Sequence, residues 1–226
     1  MIEKIHQKAE KLREEEKFDE ALKLYDRVIW GYGKEKNMAG VAEALQGKVL
    51  TYKHKYARKR NEQYLKMAKG CAKSSLEIID KYKIKDMYAS GYFRMGEVCR
   101  LSNDYNEAVK NFDKAYKLAG KNKERGDYLY HLGEAVCKNG KKILGKRKII
   151  EGMKLIEKDK SRLDSFIYNV WLSGANLRLG QIFIEEKNEK EANKYINRAK
   201  EIIDIDERLV IRKKQLEEIR SGKYYW

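Results

Sequence analysis

The sequence predicts an all-α chain, a solenoid of about five antiparallel helix pairs closed by a C-terminal helix, and three observations predict it. The 226 residues include no proline, the residue that interrupts helices and sheets by fixing φ and lacking an N–H. A ladder of small and bulky side chains recurs along the chain. Hydrophobic residues make up 42% and charged residues 38%, enough for a core wrapped in long solvated helices and too apolar for a disordered tail.

The ladder is clearest at Gly96, Ala108, Phe112 and Ala115, at spacings of twelve, four and three. It returns at Gly180, Ala192, Ile196 and Ala199, at Gly133, Gly145, Ile149 and Gly152, and at Ala9, Ala21, Tyr25 and Val28, where Phe18 holds the turn position of Tyr105. Two antiparallel helices joined by a tight turn approach closely only where small side chains face each other, and bulkier neighbours then fill the groove to the next pair.

In chain order, the ladder at Ala9 and Ala21 pairs a helix over 2–15 with one over 18–31. Gly47 anchors the next pair, 37–59 with 62–82, whose missing alanine twelve residues on predicts longer helices. Gly96 anchors 86–102 with 105–119, Gly133 anchors 123–139 with 142–158, and Gly180 anchors 162–186 with 189–204. A last helix near 206–221 carries Ile205, Leu209, Leu216 and Ile219 on one face, as a terminal cap requires. The units are thus 1–34, 35–84, 85–120, 121–159 and 160–204, with a cap at 205–221. They form a single domain over 1–221 followed by an aromatic tail at 222–226. Successive anchors lie 38, 49, 37 and 47 residues apart. With the match of Ala21, Tyr25-Asp26 and Gly33-Lys34 to Ala108, Phe112-Asp113 and Gly120-Lys121 at a constant offset of 87, that alternation points to a duplicated pair of units.

The pattern resembles the tetratricopeptide repeat, whose first helix carries a Leu-Gly pair, matched here by Leu132-Gly133 and Leu179-Gly180 and nearly by Met95-Gly96. The consensus tryptophan and closing proline are absent, with Tyr92 the best aromatic stand-in, so the chain reads as a divergent member. The resemblance implies a right-handed superhelix and a protein or peptide partner. Some members clamp a chaperone tail's carboxylate; Arg94 and Arg178 stand at the clamp arginine position, but Ser90 and Gly174 replace its lysine and the asparagines are missing.

No catalytic pattern accompanies the repeat. Gly140-Lys-Lys-Ile-Leu-Gly145-Lys146 opens like a phosphate-binding loop, yet Arg147 stands where Ser or Thr is needed and no apolar strand precedes it. His6, His54 and His131 are far apart, and only His131 and Glu134 share helical contact spacing. Cys71, Cys99 and Cys137 are odd in number and widely spaced, so neither a disulfide framework nor a zinc site is expected. No cofactor is expected, and the chain reads as a non-enzyme. The longest uncharged run, Ser165 to Leu177, is too short to cross a bilayer, and the charged N-terminus suits no signal peptide, so a cytoplasmic location is expected.

First helices of such pairs line the inner surface. Counted from the anchor glycines, the partner-facing candidates are Val41, Ala44, Lys48 and Tyr52, then Ser90, Phe93, Arg94, Glu97 and Arg100. The fourth unit offers Asp127, Tyr130, His131, Glu134 and Lys138, and the fifth Gly174, Leu177, Arg178 and Gln181. This mixture of aromatic, basic and acidic groups suits an extended peptide or a helix. The net charge of +16 attracts anionic partners. It concentrates in two turns, Lys53, Lys55, Arg58, Lys59 and Arg60, and Lys138, Lys141, Lys142, Lys146, Arg147 and Lys148, flanked by the acidic turns Glu14-Glu15-Glu16 and Glu185-Glu186. The alternative function is therefore RNA or acidic-partner binding along this basic edge, with Tyr52 and Tyr56 as stacking faces. The tail Tyr224-Tyr225-Trp226 is expected to fold back on the cap or to enter another copy, leaving monomer and homodimer both open.

Overall fold

The structure, a computed structural model, describes residues 1–222; the aromatic residues Tyr224 to Trp226 lie outside the described residues. Among the described residues there are eleven α-helices and no strand. They are α1 (Ile2–Glu14), α2 (Phe18–Lys34), α3 (Met38–Lys59), α4 (Glu62–Lys81), α5 (Tyr88–Leu101), α6 (Tyr105–Ala119), α7 (Arg125–Lys138), α8 (Lys142–Lys158), α9 (Ser165–Glu185), α10 (Glu189–Asp204) and α11 (Val210–Arg220). The expected helix pairs are all present, and α3 and α4 are long, with 22 and 20 residues. Short 3-10 helices at Lys85–Met87 and Lys160–Arg162 precede α5 and α9, which therefore begin a few residues later than the periodicity suggests.

The turns share one local solution. After α1, α2, α5, α7 and α9, three residues connect the helices, and the middle one, Glu16, Lys36, Asn103, Gly140 or Lys187, is left-handed. The third donates its N–H to the carbonyl five residues back: Lys17 to Leu12, Asn37 to Tyr32, Asp104 to Cys99, Lys141 to Val136 and Asn188 to Phe183. This satisfies carbonyls that a helix end otherwise leaves without partners. Three of those third residues also cap the next helix: Asn37 accepts from the Gly40 N–H at 2.9 Å, Asp104 from Glu107 at 3.2 Å and Asn188 from Glu191 at 3.2 Å. Only one of the five left-handed residues is glycine, so the bonding geometry holds the other four in a conformation that a Cβ disfavours.

Among the described residues the chain divides into two compact units, Met1–Leu118 and 119–222. In the first, Tyr25 is fully buried against Gly47 and accepts a hydrogen bond from the Arg13 guanidinium at 2.9 Å. The ladder residue Phe112 covers Gly96 in the same way. In the second unit the contact is closer still, because Gly126 and Gly133 on α7 face Gly152 and Gly145 on α8, backbone against backbone. Ile149, Met153, Ile156, Leu172, Leu179 and Ile182 form the core around that contact. The capping helix buries Ile211, Leu216 and Ile219, with Leu209 buried just ahead of it. Ile205, expected on the same face, is instead 78% exposed, because it ends α10 before the chain turns and so lies outside the register of α11.

Candidate partner-binding face

Within the first unit, α1, α3 and α5 are neighbours, as are α7 and α9 within the second, so first helices stand beside first helices. In the first unit the face centres on Glu97, which is buried. Lys53, reaching from α3, donates to its carboxylate at 2.6 Å, and Arg94, one turn earlier on α5, pairs with the other oxygen. Burial depresses the Lys53 pKa below the ordinary lysine value; Glu97 opposes that shift, and the nearby Arg94 and Arg100 guanidiniums add to it. The side chains of Lys53 and Arg94 remain 18% and 20% exposed. Behind them, the Gln46 amide donates to Ser90 at 3.1 Å and to Ser75 at 3.3 Å, tying α3 to α5 and α4.

Other expected residues of this unit pack inward or against second helices. Lys48 donates to Asp26 of α2 at 2.6 Å, and Tyr52 stacks on Tyr64 of α4 with ring centres 6.4 Å apart. Phe93 is buried, its ring 5.4 Å from that of Phe112. Val41 and Ala44 are core residues, and Arg100 is buried.

In the second unit, Tyr130 and His131 are both buried and their rings lie 4.1 Å apart. The His131 ring sits between two carboxylates of its own helix, Asp127 at 3.7 Å and Glu134 at 3.5 Å, and the Arg178 Nε of α9 is 3.4 Å from Glu134. The Asp127 contact follows from the i, i+4 spacing, a signal available in the sequence beside the His131 and Glu134 pair. Leu177 is pure core. Gln181 and Lys138 both donate to Glu185, at 3.3 and 2.7 Å. The sequence reading missed Arg212 of α11: its Nε donates to the Val170 carbonyl at 3.1 Å, and a Cβ on Gly174 would stand 2.6 Å from its guanidinium. Gly174 thus leaves the space that Arg212 fills, beside the Tyr130 hydroxyl.

The basic edge is partly neutralised in place. Lys55 pairs with Asp19, Arg58 with Glu16 at 2.6 Å and Lys146 with Glu186, besides the Lys53 and Lys138 pairs. The acidic turn of one helix pair therefore bonds the basic turn of its neighbour within each unit. Arg60 lies over the Tyr56 ring, and Lys59, Lys141, Lys142 and Arg147 are exposed, with Lys148 half-buried. The three thiols are held protonated by burial, Cys137 with its pKa pushed up to about 12. Among the described residues no three His, Cys, Asp or Glu side chains are grouped to hold a metal ion, and no helix is long and apolar enough to cross a membrane.

Residues 89–122, which span α5 and α6, match the tetratricopeptide repeat family. No curated protein matches the chain. Among solved structures, nearly identical TPR-like repeats of a Podosopora anserina protein described as a kinesin light chain align with a TM-score of 0.54 and 13% identity. The match covers 89% of this chain and 94% of that one. A single-substitution variant of the same repeats gives 0.54 and 14% over the same shares. At such identity the likeness is one of fold. These findings, with the packed pairs above, define an all-α helical-repeat protein. Within it, the stretch 89–122 is similar to a tetratricopeptide repeat.

Proposed function

We propose that the chain is a non-catalytic adaptor that holds a peptide or helix of a partner protein on the face of its first helices. Tetratricopeptide repeats generally mediate protein–protein interaction. The observation that supports this face is the convergence of Lys53 and Arg94 on the one buried carboxylate of Glu97. Two cations, each about a fifth exposed, share a single acid there, and the surplus positive charge suits an acidic side chain or carboxylate of the partner. Charge-assisted bonds of this kind gain strength where water is thin.

The experiment is affinity capture from the source cell with wild type and with Arg94→Ala, read by mass spectrometry. A protein retained by wild type and lost from Arg94→Ala, with thermal unfolding of the variant unchanged, is the expected result. Equal retention by both would remove Arg94 from the binding face. Nucleic-acid binding along the basic edge is the weaker reading, since five of its eleven candidate cations, Lys53, Lys55, Arg58, Lys138 and Lys146, already hold acids.

A further inference from the structure

Helix α8 turns Gly145, Ile149, Gly152, Met153 and Ile156 into the core of the second unit. At 100° per residue, the opposite side is a ridge of Ile143, Arg147, Lys154 and Lys158, all exposed, with Glu151 beside it. Two features of this ridge bear on what it can meet.

The first is its charge. On three other second helices some of the cations find an acid one turn away: Lys73 with Glu77 on α4, Lys110 with Glu107 and Lys117 with Asp113 on α6, Lys194 with Glu191 on α10. On α8, Lys142, Arg147, Lys148, Lys154 and Lys158 hold no acid among the described residues. The second feature is Ile143, 85% exposed at the end of the ridge. It stands amid these cations, where no packing within the chain requires it.

From these two features we infer that the α8 ridge docks the protein on an anionic lipid surface. A plane of lipid headgroups asks for no fixed register, so long lysine side chains spread over a 17-residue helix can each meet negative charge, and their attractions accumulate. Ile143 then enters the boundary between headgroups and acyl chains, as the apolar members of interfacial helices do. A nucleic-acid strand is less well served, because the ridge carries no aromatic ring on which a base stacks. An acidic protein helix would find a single exposed aliphatic side chain, too little for the apolar centre of an interface. The inference is independent of the first-helix face, since Lys53 and Arg94 belong to the other unit.

The test is co-sedimentation of the full chain with vesicles of phosphatidylcholine alone and of phosphatidylcholine with phosphatidylglycerol, at low salt. Wild type should sediment only with the anionic vesicles, and added salt should release it. Ile143→Ser should lower the partition coefficient about tenfold, and the pair Arg147→Glu and Lys154→Glu should abolish binding. Lys66→Glu with Lys69→Glu on α4, an equal change of net charge, should leave it nearly intact. All these side chains are solvent-facing, and circular dichroism melting checks that each variant folds; Lys158→Glu alone serves as a second probe of the ridge. Four results would overturn the proposal. They are absence of sedimentation with anionic vesicles, equal loss in the α4 and α8 pairs, unchanged partition of Ile143→Ser, and tighter α8-dependent binding to a single-stranded RNA oligonucleotide than to vesicles.

Discussion

A Cβ placed on Gly133 would stand 2.6 Å from the carbonyl oxygen of Gly145 and 2.7 Å from the amide nitrogen of Ile149. The obstacle is backbone on both counts, so it cannot move aside as a side chain does. At Gly180 the corresponding nearest atom is the Ile196 Cγ1, at 2.8 Å, with backbone no nearer than 3.4 Å, so a side chain and not the backbone must give way. Gly133→Ala is therefore expected to destabilise the chain by about 1–3 kcal/mol. Gly180→Ala should stay within about 1 kcal/mol of wild type, since the gain in helix propensity offsets the crowding. Urea unfolding of the two variants side by side measures the difference.

The left-handed residues give a prediction of opposite sign. Lys187 has φ 58° and is exposed, so its side chain contributes strain without packing. Lys187→Gly should stabilise by about 0.5–1 kcal/mol, the relief of the left-handed conformation less the extra entropy of glycine in the unfolded chain. Gly140→Ala, at φ 88°, should destabilise by about 1 kcal/mol on the same reasoning. Both are read as shifts in the urea midpoint at constant slope.

A pH dependence is built into the connection between α10 and α11. The Asp206 carboxylate accepts from the Arg208 side chain at 2.7 and 2.8 Å and from Asn169 at 3.0 Å. The Arg208 bonds, with Asn169 adding to them against the cost of burial, lower its pKa to about 2. A depressed carboxylate stabilises the fold above its unfolded pKa, and that contribution fades as pH falls from about 4 through about 2. Asp206→Asn should therefore cost about 1–2 kcal/mol at neutral pH, and the gap from wild type should shrink as the unfolding series is taken down through that window. A gap that stays constant with pH would show that the ionised carboxylate is not what stabilises the turn.

Phe93 and Arg94 are adjacent in sequence yet differ in role. Phe93→Ala removes a buried ring packed on Phe112 and should lower stability by about 3–5 kcal/mol. Arg94→Ala removes a partly exposed partner of Glu97, which keeps its bond from Lys53, and should cost far less. Thermal melts of the two single variants separate them.

That adjacency also shows how much was legible in the sequence. Helix limits could be read to within a few residues because Gly96, Gly133 and Gly180 each force a close contact and the turns repeat one pattern. Faces were harder, since one residue along a helix is a rotation of 100°. Counting outward from Gly47 singled out Tyr52, which stacks on α4, while its neighbour Lys53, read as part of the basic edge, turns to Glu97. The acids that meet the basic turns lie 36 residues away for Asp19 and Lys55 and 40 for Glu186 and Lys146, a distance no local pattern spans. Ile205 was misassigned because hydrophobic spacing carries across a helix end that only the backbone reveals.

The most direct measurement of the functional claim is calorimetric titration of the captured partner's segment into wild type and into Arg94→Ala. The account predicts a Kd raised about tenfold or more, the loss of roughly 1.4 kcal/mol that one charge-assisted contact supplies, with the melting curve unchanged. An identical Kd for both proteins would place the partner elsewhere and contradict it.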